Sequence, residues 1–224
     1  MRIVVKVGTS SLAHATGHAN IRHMERLCKV LSDIKNAGHE VVLVSSGAIG
    51  MGMGKLSMRE RPKELAAKQA AAAVGQCELM YTYDKMFSEY NHIVAQILLT
   101  AEDIGEEKRK RNFINTIQHL LKLQVLPIIN ENDTVATDEI VAGENIIGEN
   151  DSLSAIVSAS IHADLLVILS DVDGLYTSNP RLDPSARLIE EVKEITRDIL
   201  CLANGNGSSL GTGGMDTKLK AAKI

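Results

Sequence analysis

The sequence predicts an α/β fold, a mostly parallel sheet sandwiched by helices in an α/β/α arrangement. Three observations point to it. Short aliphatic runs at residues 3–7 (interrupted only by Lys6), 41–44 and 165–169 do not alternate, as strands buried on both faces do not. Longer segments of helical period lie between such runs. Several strands break into turns of small or polar residues, and in sheets of this kind ligands bind beyond the carboxyl ends of the strands. A chain of 224 residues suffices for one large domain or two small ones.

In chain order, residues 3–7 read as a buried strand ended by a turn at Gly8-Thr9-Ser10. Ile21, Met24, Leu27, Leu31 and Ile34 recur at helical spacing, so a helix is expected over 20–37, with Gly38 at its C′ position. Residues 41–44 form a second strand, running into Ser45-Ser46-Gly47. The alanine-rich stretch 64–90 is helical, and Gly75 within it marks either a break or a close packing contact. Residues 93–99 read as a strand, and Phe113, Ile114, Ile117, Leu120 and Leu121 mark a helix. A strand follows at 125–129, where Pro127 suggests an irregularity. Residues 134–148 read as a hairpin or long flap, 152–160 as a helix and 165–169 as a strand; the signal over 180–202 is weak. No internal repeat, low-complexity tract or linker interrupts the chain.

Six segments can carry chemistry. Lys6-Val7-Gly8-Thr9-Ser10 offers a point charge, hydroxyls and a glycine that lets backbone approach a phosphate; its ordinary reading is a surface lysine before a turn. Ser45-Ser46-Gly47-Ala48 can bind a carboxylate or phosphate at a helix N-terminus, or be a routine turn. Asn130-Glu131-Asn132-Asp133 holds more polar side chains than a turn requires; an amide beside a carboxylate suits an ammonium group. Gly148-Glu149-Asn150-Asp151 precedes a helix and is equally explained by capping. Ser170-Asp171-Val172-Asp173-Gly174 follows a buried strand, where a nucleotide is expected. Gly211-Thr212-Gly213-Gly214-Met215-Asp216-Thr217-Lys218 is a phosphate cradle without Walker A spacing, or a flexible loop.

Other classes are disfavoured. The net charge is −4 and aromatic residues make up 3%, so neither a basic stripe nor a stacking platform for nucleic acid exists. Three isolated cysteines, Cys28, Cys77 and Cys201, suggest neither a zinc site nor a disulfide framework, and reduced thiols in the cytoplasm are the simplest reading. The first residues lack a signal peptide's apolar segment and cleavage site, and no apolar stretch is long enough to span a membrane. Gly50-Met51-Gly52-Met53-Gly54 lacks the spacing of a dinucleotide fingerprint. His14, His18 and His23 lack a nearby carboxylate pair for a metal, and no G-x-S-x-G elbow occurs.

The six segments, in this order, resemble the amino-acid kinase family from Ile3 to the end of the chain. The single-glycine Lys6-Val7-Gly8-Thr9-Ser10 start and Asn130-Glu131-Asn132-Asp133 followed by Val135-Ala136-Thr137 are similar to the branch that phosphorylates the side-chain carboxylate of glutamate. The resemblance implies an ATP-dependent kinase with Mg²⁺ accompanying the nucleotide. Lys6 and Lys218 would contact the phosphates, and Asp151 would hold the lysines. Ser46, Gly47, Asp133 and Asn150 would bind L-glutamate. Lys6, Gly8, Thr9, Ser10, Ser170, Asp171, Thr212, Gly213, Gly214, Met215, Asp216, Thr217 and Lys218 would bind ATP. It further implies a first step toward proline, feedback inhibition by proline, a homo-oligomer, and no nucleic-acid or membrane partner. Asn145-Ile146-Ile147 lengthens the flap beyond the family's usual form. The whole chain is expected to be one kinase domain lacking its C-terminal end, with no PUA domain. Two rivals stand beside this reading. One is a kinase of another acceptor (aspartate, acetylglutamate or a phosphorylated one), although residues 45–49 and 130–137 contain no Arg or Lys to hold a phosphate. The other is a non-catalytic binding module, against which intact Lys6, Asp151 and Lys218 count.

Overall fold

The computed structural model describes residues 1–14, 16–136, 150–203 and 214–224. Five strands, β1 (Arg2–Lys6), β2 (Glu40–Val44), β3 (Val94–Leu99), β4 (Leu126–Glu131) and β5 (Leu165–Ile168), pair in the order β3-β4-β2-β1-β5. Every pairing is parallel, so each needs a crossover. Helices supply them: α1 (Thr9–Leu12) and α2 (Ile21–Asn36) after β1, then α3 (Ala48–Lys55) and α4 (Leu65–Ser88) after β2. Next come α5 (Ala101–Gly105) and α6 (Glu107–Lys122) after β3; α7 (Asn150–Ser160) precedes β5, and α8 (Arg197–Leu202) and α9 (Met215–Ala222) follow it.

The sheet divides two cores. Ile3 and Val5, Val41 and Leu43, and Leu126 and Ile128 pack with Met24, Cys28 and Leu31 of α2 and Leu79, Tyr83 and Phe87 of α4. The alternate residues Val4, Val42, Val44 and Ile129 meet Phe113, Ile117 and Leu121 of α6 and Leu153 and Val157 of α7. With successive side chains on opposite faces, both sets must be apolar, which is why these strands read as continuous runs. The expected α/β/α sandwich is therefore what forms.

Several expectations need correction. Thr9 and Ser10 are the first turn of a short helix, not a free turn. β5 is an edge strand among the described residues, pairing with β1 alone, and is only partly buried: Leu166 and Val167 pack against the opposite cores, while Leu165 and, just past its end, Leu169 are exposed. Pro127 does not break β4. Leu126 N–H donates to Ile93 on the β3 side, so the position of the missing Pro127 N–H faces β2. Pairing with β2 begins only at Leu43↔Ile128, just past the proline. Asn130 and Glu131 belong to β4 instead of the loop after it. The flap, apart from residues 134–136, lies outside the described residues.

The sequence reading overlooked α3 as a full helix because AIGMGMGK is poor in helix formers. Contact with α4 explains it. A Cβ at Gly52 would lie 1.8 Å from the Ala71 carbonyl oxygen, and one at Gly75 would lie 1.8 Å from that of Ala48. Gly75 is thus a close packing contact, and α4 runs through it unbroken. α5 carries a signal that went unread, a capping box of Thr100 and Asp103.

Candidate active site

The carboxyl ends of β1, β2, β4 and β5 share one edge of the sheet, and α7 begins beside them. The central group is Asp151, in the first turn of α7, where a carboxylate is favoured by the helix dipole. It is 1% exposed. Lys6 Nζ, at the end of β1, lies 2.6 Å from Asp151 Oδ1; Lys218 Nζ, on α9, lies 3.3 Å from Oδ2. Thr217 Oγ1 is 2.9 Å from the same Oδ2 and 2.8 Å from the Gly214 carbonyl oxygen. Burial alone would raise the Asp151 pKa. Lys6 first, then Lys218 and Thr217, outweigh it and hold the carboxyl below its ordinary value. Two ammonium groups against one carboxylate leave a net positive cluster suited to an anion. Among the described residues, a Cβ at Gly8 would meet only Lys6 Nζ, at 3.6 Å, so the backbone there leaves room for a close approach.

Amides and hydroxyls line the adjoining side. Ser45 and Ser46 follow β2, and Gly47 turns the chain into α3 with φ +96, a left-handed conformation that glycine adopts without strain. Ser45 Oγ is buried 2.9 Å from Tyr83 Oη, which makes it part of the core. Ser46 Oγ instead accepts from Asn150 Nδ2 at 2.9 Å, leaving its own O–H to donate elsewhere. Asn150 Nδ2 also reaches Asn130 Oδ1 at 3.3 Å, and Asn130 Nδ2 donates to Gln76 Oε1 at 2.8 Å. Beyond β4, burial pushes the Asp133 carboxyl up to about 6, against the opposing charge of Arg61. Burial, helped by the Asp133 charge, pushes Glu131 up to about 7.

Lys6, Asp151, Thr217 and Lys218 are thus brought together, and so are Ser46 and Asn150. Asp171 is engaged otherwise, its carboxylate 2.7 Å from Arg181, with Ser170 Oγ at 3.5 Å. Asp216 turns to Lys220, 2.6 Å away. Thr212 and Gly213 lie outside the described residues, and Gly214 caps α9 ahead of Met215. Gln76 received no role from the sequence, and Asn130 was marked only as part of the polar run Asn130-Glu131-Asn132-Asp133. The signal was there for Gln76: it interrupts the apolar stripe Ala72, Leu79 and Tyr83 on the buried face of α4. No group of three or more His, Cys, Asp or Glu side chains forms a metal cage among the described residues. Both Asp151 oxygens face cationic or hydroxyl partners, so Asp151 is a poor candidate to ligate a metal.

No helix among the described residues is long and apolar enough to cross a membrane. The family model described as the amino acid kinase family matches residues 1–224. A glutamate 5-kinase of Clostridium perfringens is 53% identical over 100% of this chain and 82% of its own length. One from Carboxydothermus hydrogenoformans is 54% identical over 100% of this chain, which spans 59% of that longer protein. Among solved structures, a T. acidophilum isopentenyl phosphate kinase product complex superimposes with a TM-score of 0.57. It has 17% identity and covers 84% of this chain and 78% of that one, a likeness of fold.

Proposed function

The chain belongs to the amino acid kinase family, and from that membership we propose that it transfers the γ-phosphoryl group of ATP to the side-chain carboxylate of L-glutamate. The products are ADP and L-glutamyl 5-phosphate, an acyl phosphate that enters proline formation. The relatives named above, more than half identical over the whole chain, support this acceptor. The observation that carries the chemistry is the Asp151 carboxylate bound by both Lys6 and Lys218.

Phosphoryl transfer spreads negative charge over the equatorial oxygens and asks mainly for positioning and preorganised cations. Lys6 and Lys218 supply those cations. Two ammonium groups about 4 Å apart repel by about 4 kcal/mol at an effective dielectric of about 20. Asp151 relieves that repulsion and holds both heads. No general base is required, because a glutamate side chain with a reference pKa of about 4.3 is already ionised at neutral pH. Ser46 O–H and the backbone after Gly47 suit a substrate carboxylate, while Asp133 and Asn150 suit its ammonium group. Gly8, Thr9, Ser10, Ser170, Asp171 and residues 212–218 are the residues that this reading assigns to the nucleotide. Mg²⁺ belongs to this reading as the companion of the nucleotide phosphates, with no protein ligand assigned.

The unpaired thiols of Cys28, Cys77 and Cys201 support a reducing cytoplasmic setting. Self-association and feedback by proline rest on the family resemblance alone. The deciding experiment is an ATP-dependent assay with hydroxylamine, which traps acyl phosphates as hydroxamates, run with glutamate, aspartate and acetylglutamate. Hydroxamate formed with glutamate well above the other two is expected. Preference for another acceptor overturns the reading.

A further inference from the structure

We propose that Gln76, on α4, is a positioning residue that acts through Asn130 to fix the amide of Asn150, so that Asn150 Oδ1 stands as an acceptor for the ammonium group of the substrate. The inference rests on the function proposed above and adds two residues to it.

One backbone group, whose polarity cannot be exchanged, sets the amide orientations. Glu131 N–H donates to the Asn130 side chain at 3.0 Å, so the atom it meets must be Oδ1. Asn130 then presents Nδ2 on its other side, and the group 2.8 Å from it must accept: Gln76 offers Oε1. The Asn150 atom 3.3 Å from Asn130 Oδ1 must in turn donate, so it is Nδ2. Both Nδ2 hydrogens of Asn150 are used, one on Asn130 and one on Ser46 Oγ at 2.9 Å. Each amide orientation follows from the one before, and the sequence of donors ends in Asn150 Oδ1. That oxygen is buried and has no hydrogen-bond partner among the described residues.

A buried acceptor left unpaired is costly, so a bound donor is expected to satisfy it. On glutamate at neutral pH the one strong donor is the α-ammonium. Gln76 and Asn130 are themselves 7% and 1% exposed, so water offers them little alternative partnership. Without the Gln76 acceptor, Asn130 Nδ2 loses its buried partner. Glu131 N–H still holds Oδ1, but the Nδ2 end is no longer clamped, so the Asn130 amide can swing about that one bond and Asn150 loses the fixed acceptor for its Nδ2.

Gln76→Met, similar in length and unable to accept in this way, tests the idea with the hydroxamate assay. Glutamate is varied at saturating ATP, and ATP at saturating glutamate. A rise of about tenfold in glutamate KM is expected, the size of one charge-assisted hydrogen bond, with ATP KM unchanged. Gln76→Glu keeps an acceptor at the same reach and restores most of the loss. Glutarate, which lacks the ammonium group, inhibits the Gln76→Met variant as well as it inhibits the unsubstituted protein. Should the thioether variant fail to fold, Gln76→Asn, which withdraws the amide by one methylene, carries the same expectation. An unchanged glutamate KM, or an equal rise in both KM values, overturns the inference while the proposed function stands. Failure of the unsubstituted protein to form glutamate-dependent hydroxamate overturns both.

Discussion

Lys218→Ala is expected to lower kcat by about 10²–10³ while changing ATP KM less, because a preorganised cation matters most as charge moves toward the transferred group. Steady-state kinetics in both substrates check this; a raised ATP KM at unchanged kcat would assign the lysine to ground-state binding. Asp151→Asn keeps the side-chain shape but removes the charge that holds Lys6 and Lys218. Activity is expected to fall while the kcat profile between about pH 6 and 9 keeps its shape. The carboxyl is held below its ordinary value by the two lysines against the effect of burial, so it does not titrate in that window. An ascending limb present in the unsubstituted protein and lost in the variant would make Asp151 a base. At this scale the segments of the lysines and Asp151 were marked in the sequence, but their roles came from the family resemblance, because each segment alone also reads as an ordinary turn, loop or cap. Gln76 showed there only as a polar break in an apolar stripe; its partner Asn130 lies 54 residues away and only the fold joins them.

The contact between α3 and α4 decides whether the Ser46-Gly47 turn stays where the site needs it. Gly52→Ala and Gly75→Ala would each force a Cβ to within 1.8 Å of a backbone oxygen on the opposite helix. Backbone cannot yield as a side chain end can, so each is expected to cost at least about 1–3 kcal/mol, the usual range for overpacking. Gly105→Ala is the control. Among the described residues, no atom beyond its chain neighbours and its own helix backbone lies within 4 Å of its Cβ position, and the change is expected to be neutral or to stabilise by up to about 1 kcal/mol. Urea unfolding of the three variants separates them, and equal midpoints for Gly52→Ala and Gly105→Ala would refute the account. The sequence announced α2 and α6 through their apolar period and α2 also through Gly38, whose φ is +91. It hid α3, whose helix depends on a partner helix more than on its own propensities.

Across the whole molecule, stability and substrate recognition are expected to respond to pH in opposite directions. Asp133 is raised from 3.8 to about 6 and Glu131 from 4.5 to about 7, both chiefly by burial. A carboxyl raised in the folded state binds its proton more tightly there than in the unfolded chain. The stability this contributes is complete below the unfolded value and is lost as pH rises through the folded one. Asp151 behaves the opposite way: its pKa is lowered, so its contribution is present above the unfolded value and is lost as pH falls through the folded one. The unfolding midpoint should therefore rise on going from about pH 7.5 to about pH 5, then fall in stronger acid. Recognition of an ammonium group by Asp133 needs the ionised carboxylate, so kcat/KM for glutamate should fall over the interval in which stability rises. Asp133→Asn removes one titrating group from both curves. It is expected to flatten part of the gain in stability near pH 6 and to raise glutamate KM at neutral pH, with ATP KM nearly unchanged. Midpoints in urea at about pH 5, 6 and 7.5, beside kcat/KM at the same values, decide the matter. If stability and kcat/KM fall together from pH 7.5 to 5, the buried carboxyls do not oppose each other in this way. The residues that fold the edge of the sheet and those that read the substrate would then have to be sought elsewhere than in Glu131 and Asp133.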